Sequence, residues 1–182
     1  MPNHKALQEL QSRLDERLAL VKSQEPQKSW LAIESGGFGF LLNLLEIGEI
    51  FPASTSTTTI CTVPHTQAWF LGVVNLRGHL HGVVHLALFF DLSAVASSGN
   101  LARVIALNGH LELNCALWVD ALMGLRNEAQ LQPVTRTVAS DSVQLPDFLG
   151  GQLQDEKGRI WQEVLLSKLI QQKAFLNIAV QI

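Results

Sequence analysis

Cysteine is scarce: only Cys61 and Cys115 occur in 182 residues, and they stand far apart. That spacing does not read as a disulfide framework and fits buried thiols in a reducing compartment. Charge is scarce too. Charged residues make up 16% of the chain against 47% apolar, which excludes disorder over most of its length. A net charge of −3 gives no basic surface for nucleic-acid phosphates. No apolar run reaches the roughly 20 residues that a membrane span needs. The N-terminus, MPNHKALQELQSRLDERLALVK, is charged throughout and lacks the apolar stretch of a secretory leader. The expectation is a soluble, cytoplasmic protein of one domain or two small lobes, associated with a membrane only through a partner.

The signs of covalent chemistry are also missing. There is no G-x-S-x-G element. Cys61 and His65 are four residues apart in a loop containing Pro64, which is not a nucleophile–base arrangement. Gly36-Gly37-Phe38-Gly39 lacks the Lys-Ser/Thr of a phosphate loop and joins two strand-like segments, so it reads as a hairpin turn. Glu34, Glu46 and Glu49 are scattered and are explained by solvation. His79, His81 and His85 share strand parity, but His85 lies about 13 Å from His81 along a strand, too far to share one ion. No catalytic residue, metal ligand set or cofactor is expected.

What the chain does have is periodicity. Leu7, Leu10, Leu14, Leu18 and Val21 recur at helical spacing, predicting an amphipathic helix over Asn3–Lys22, capped by Asn3 and stopped before Pro26. From Ser29 the period shortens. Trp30–Glu34 and Phe38–Leu45 flank Gly36-Gly37 as a hairpin. Ala53–Thr59 is a polar loop. Ser93–Asn100 is a small, polar connector. Leu101–Leu107 and Leu111–Asp120 form a second hairpin through Asn108-Gly109. Gln130–Asp147 looks irregular. Gln152–Gln154 and Arg159–Leu165 flank the turn Asp155–Gly158, and a helix follows over Ser167–Ile178. Many short strands with Gly- and Asn-rich turns predict an all-β fold of small barrels. A faint repeat links Phe70-Leu71-Gly72 with Phe148-Leu149-Gly150, each opening a hairpin that ends in a helical segment. Trp69, Phe70 and Trp118 are expected in the core, while the face of Trp161 is undecided.

The most informative stretch is WFLGVVNLRGHLHGVVHLALFFD, Trp69 to Asp91. It reads as two apolar strands around a turn, with Arg77 beside Gly78. One guanidinium on an apolar hairpin suits protein docking better than catalysis. From the residues alone, Arg77 is equally a solvated turn residue, Glu49 an exposed strand residue, and Asn75 a turn-stabilising amide. Gly72 allows close approach of a partner, or else answers a bulge or a positive φ.

The run LGVVNLRG followed by GVVHL resembles the LGVINLRG…PVIDL signature of CheW-like chemotaxis coupling domains, with Gly72, Asn75, Arg77 and Gly78 in place. His85 departs from it, since that position is commonly Asp. The segments SWLAIE, GEIFP, VPHTQAWFLGVVNLRG and FLGGQLQDEKGRIWQEV resemble the PilI-type branch, the adaptors of type IV pilus signalling. The resemblance implies two five-stranded β-barrels, partly interleaved, over residues 29–182, with a helical extension over 1–28 and a connector near 93–100. It implies a non-catalytic adaptor that binds a methyl-accepting chemoreceptor and a CheA-type histidine kinase in an array on the inner face of the membrane. It places Glu49, Ile47, Gly72, Asn75, Arg77 and Gly78 at partner-binding surfaces, with pilus twitching as the controlled output and flagellar chemotaxis as the alternative. Outside the family, the rival readings are a β-barrel metal-binding protein or enzyme using His79 and His81, and an oligonucleotide-binding barrel, which the missing basic patch opposes.

Overall fold

The computed structural model describes residues 28–53, 58–92, 101–134 and 145–180. The helix predicted over Asn3–Lys22 and the connector 93–100 lie outside the described residues. In the first half, the strands are β1 (Ser29–Ser35), β2 (Phe38–Asn43), β3 (Ile47–Pro52), β4 (Ile60–Cys61), β5 (Phe70–Leu76) and β6 (His79–His85). In the second half they are β7 (Arg103–Leu107), β8 (Cys115–Val119), β9 (Ala121–Asn127), β10 (Leu131–Pro133), β11 (Leu149–Asp155) and β12 (Ile160–Val164). Among the described residues, three four-residue helices accompany them: α1 (Leu86–Phe89), α2 (Leu166–Leu169) and α3 (Lys173–Leu176).

The strands form two six-stranded sheets, ordered β10-β11-β12-β2-β1-β9 and β4-β5-β6-β8-β7-β3. Written in this sense, each strand of β1–β6 occupies the place held by the strand six later in the other sheet. The correspondence extends to detail. The parallel pairs β12–β2 and β6–β8 are equivalent, and so are the bulges in β5–β6 and β11–β12. The chain is therefore a tandem repeat whose halves exchange their first two strands. Phe70-Leu71-Gly72 and Phe148-Leu149-Gly150 mark matching places in it, and α1 and α2 both follow the last strand of their unit.

Side-chain alternation explains the layers. Leu31, Ile33, Phe40, Leu42 and Val164 of one sheet meet Val84, Ile105, Leu117 and Val119 of the other in one shared core. Each sheet also has a cluster of its own on its opposite face. Trp30, Ala32, Leu41, Leu131 and Trp161 gather with Met123, so β10 and β9, the two edges of that sheet, contribute to one cluster. Val74, Leu76, Val83, Val104 and Ala116 gather with Phe51 of β3 and Ile60 of β4, the edges of the other sheet. Both sheets are thus curled. The count is six strands per sheet, where the resemblance implied five per barrel, because the short strands β4 and β10 each add a pairing.

Two local expectations change. Asn108-Gly109 is not a two-residue turn. The Asn108 side-chain Nδ2 donates to the Leu45 carbonyl, its Oδ1 accepts from the His110 backbone N–H, and β8 starts only at Cys115. The C-terminal helix is two pieces, since Gln172 is extended between α2 and α3. The break lets Phe175 stack on Trp69 at 6.1 Å. Trp161 is buried, its indole donating to Asp155 at 3.0 Å and its ring facing Arg159 and Arg126.

Candidate functional site

The β5–β6 hairpin positions the central guanidinium. Its two turn residues, Arg77 and Gly78, have φ of 51° and 90°. Positive φ at both central residues is what a two-residue turn of the primed type requires, because only that twist matches the flanking strands. Gly78 adopts it freely; Arg77 does so at a cost of about 1 kcal/mol. The Asn75 side-chain oxygen accepts the Gly78 amide at 2.8 Å, bracing the turn from one strand. Asn75 therefore has the stabilising role that its residue type indicates.

The turn sends Arg77 to Glu49 of β3, Nη1 to Oε1 at 2.9 Å. The side chains are 75% and 49% exposed, so the pair contributes at most about 1 kcal/mol to stability. It forms the lip of a cleft of about 350 Å³ whose walls include Phe51, Leu76, His79 and His81. Leu80, 64% exposed, and Ile50, 39% exposed, add apolar surface on the strands that carry this lip. Two fixed opposite charges beside exposed aliphatic side chains form a surface suited to recognising another protein. No nucleophile and base are joined by any hydrogen bond at this cleft among the described residues.

Of the six sequence-predicted site residues, Glu49, Asn75, Arg77 and Gly78 come together here. Ile47 does not present its side chain: it is 7% exposed and belongs to the shared core. Strict alternation would put residues 47 and 49 on one face, but the register of β3 shifts between Ile47 and Ile50, and this irregularity parts the buried Ile47 from the exposed Glu49. Gly72 is buried, with φ of 131°, at the bulge of β5. A Cβ there would run into the Cys61 carbonyl of the neighbouring strand β4. The backbone alternative therefore accounts for Gly72, and its surface is not available to a partner.

The histidines divide by role. His79 and His81 line the cleft, and His81 Nδ1 lies 3.1 Å from the His79 carbonyl. His85 instead closes the start of α1, its Nδ1 accepting the Leu88 amide at 3.5 Å. Burial pushes the His85 pKa down, while the negative charge of Asp120 opposes the shift. Among the described residues, no group of three or more His, Cys, Asp or Glu side chains is placed to hold a metal ion. Burial raises the Cys115 thiol to about 12.

Carboxylates treated as solvated have specific partners. Glu34 pairs with Arg159 at 2.6 Å, and Glu46 accepts the Leu166 and Ser167 amides at the start of α2. These contacts cross the sequence by more than a hundred residues, so no local pattern announces them. Among the described residues, no helix is long and apolar enough to cross a membrane.

Comparison with known proteins bears on the family and the fold. The chain is 27% identical over 169 residues to Protein PilI of Pseudomonas aeruginosa, covering 88% of this chain and 86% of that protein. Its fold is similar to the crystal structure of scaffolding protein TtCheW from Thermoanaerobacter tengcongensis, with a TM-score of 0.57 and 19% identity, over 76% of this chain and 88% of the other. Residues 29–174 match the family described as the CheW-like domain. This chain belongs to the CheW-like domain family.

Proposed function

We propose that the protein is a non-catalytic adaptor that couples a methyl-accepting chemoreceptor to a CheA-type histidine kinase, in an array at the cytoplasmic face of the membrane that controls type IV pilus twitching. Family membership supports the adaptor role, and the similarity to a protein named PilI supports the pilus branch. The observation that carries the reading is the Glu49–Arg77 lip. An exposed arginine is held at positive φ, against its backbone preference, and presents a planar fork of donors beside exposed apolar residues. Nothing in the stability of the fold requires an arginine there, so binding is the better explanation.

The mechanism is positional. Holding receptor and kinase together lets the state of one bias the equilibrium of the other, as a coupling free energy rather than a chemical step. The test is a charge-swap cycle. Arg77→Glu and Glu49→Arg are each expected to weaken kinase or receptor binding by about tenfold or more. The double variant restores the internal ion pair with reversed geometry and is expected to stay weak. Full recovery of affinity in the double variant would show that the pair serves only itself and would overturn the role in docking.

A further inference from the structure

The Glu49–Arg77 lip grows out of a joint between the two halves of the chain. The crossing from β2 to β3 is a 3₁₀ turn over Leu44–Glu46. From it the Glu46 carboxylate reaches the other half, where it accepts the Leu166 amide at 3.0 Å and the Ser167 amide at 3.2 Å. Leu165, the residue before α2, makes no side-chain cap, so the helix takes its acceptor from 120 residues away. A carboxylate suits this place, because the amides of a first turn have no partner within their own helix. Asn108, at the end of β7, holds the same turn. Its Nδ2 donates to the Leu45 carbonyl at 3.2 Å and its backbone N–H to the Glu46 carbonyl at 2.9 Å. The repeat has a counterpart. Asp120, between β8 and β9, carries the charge that acts on His85 at the start of α1. Each half thus brings a carboxylate to the start of the helix of the other.

The joint in the first half feeds the lip directly. After Glu46 comes the buried Ile47, and between Ile47 and Ile50 the register of β3 on β7 shifts. Gly48 and Glu49 therefore stand opposite a single residue of β7, Ala106. A bulge of this kind re-aims the side chain that it carries, and the ladder alone does not fix the direction. The aim of Glu49 depends on where Ile47 enters the strand, and the neighbouring Glu46 sets that point. We propose that Glu46 is a positioning residue of the lip: by clamping the start of β3 to α2, it holds the bulge and aims Glu49 at Arg77. The inference rests on the reading of the lip as a docking site. A carboxylate that only stabilised α2 would leave the lip unchanged when removed.

The test uses the full chain with Glu46→Gln, which keeps the side-chain length and one acceptor oxygen, and Glu46→Ala, which keeps neither. The direct readout is the Arg77 Nε–Hε resonance of the free protein, with Glu49→Ala marking the guanidinium without its ion pair. Glu46→Ala is expected to move this resonance most of the way to the Glu49→Ala position, and Glu46→Gln part of the way. Binding to the kinase or the receptor, whichever Arg77→Glu weakens, is expected to fall about fivefold with Glu46→Ala and about twofold with Glu46→Gln. Glu46→Gln serves alone if the alanine variant does not fold. An Arg77 resonance that stays at the wild-type position, whatever the melting temperature, would overturn the proposal and leave Glu46 as a helix cap only. So would a displaced resonance with wild-type affinity. Undiminished binding by Arg77→Glu would instead sink the docking reading of the lip, and the resonance would still decide whether Glu46 aims Glu49.

Discussion

Arg77 holds a backbone conformation that its residue type disfavours, and the docking role proposed for it accounts for that cost. Its left-handed conformation costs about 1 kcal/mol, and its exposed pair with Glu49 returns at most a similar amount. Asn tolerates the left-handed region better than Arg. Arg77→Asn is therefore expected to melt at the wild-type temperature or a few degrees above it, while binding falls about tenfold. A melting temperature lowered by many degrees would instead make Arg77 a structural residue. His85 sets a second expectation, from the sign of its shift. Its folded pKa lies below the ordinary 6.5, first because burial disfavours the imidazolium. As pH falls, the unfolded chain takes up this proton before the folded one. The stability tied to His85 is therefore complete above about pH 6.5 and declines as pH falls below that value toward the folded pKa. His85→Asn keeps a capping oxygen without a proton to bind. It is expected to flatten the fall in melting temperature between about pH 7 and pH 5. An unchanged slope would place the acid sensitivity elsewhere.

At the scale of elements, the bulge of β5 makes the firmest demand. Gly72 combines a φ of 131° with a carbonyl of β4 where a Cβ would stand. Gly72→Ala and Gly72→Asp are both expected to lose at least about 2 kcal/mol, seen in thermal melts before any partner is added. Normal melting with lost partner binding would return Gly72 to the docking surface. The glycine itself was legible in the sequence, but its reason was not, because the obstructing carbonyl belongs to Cys61, eleven residues earlier, on a strand of two residues. The same distinction separates the other elements. Gly36-Gly37 and Arg77-Gly78 announced their hairpins, since the backbone requirement and the residue type are local. The strand β9 was not announced, because a single bend at Asp120 separates it from β8 and its pairing with β1 joins residues more than eighty positions apart. The split between α2 and α3 was hidden for a similar reason. Helical spacing continues through Gln172, while the extended residue there goes with the seating of Phe175 against Trp69 and Phe89, contacts distant in sequence.

At the scale of the whole molecule, the tandem repeat accounts for the way the site is built. Exchange of the first two strands between the halves places β3, β5 and β6 in one sheet with β7, so residues 49 and 77 meet although the polar loop after β3 separates them. The faint FLG repeat in the sequence pointed to duplication. The exchange was not legible, since it depends on which sheet completes each core. The central claim is that this molecule links a receptor to a kinase through the Glu49–Arg77 lip. The measurement that tests it most directly is autophosphorylation of a CheA-type kinase reconstituted with a methyl-accepting receptor, with and without this protein. Receptor control of the kinase is expected only when the protein is present, and it is expected to be lost with Arg77→Glu while the melting temperature is unchanged. Receptor control that is equally strong without the protein, or with Arg77→Glu in its place, would contradict the account.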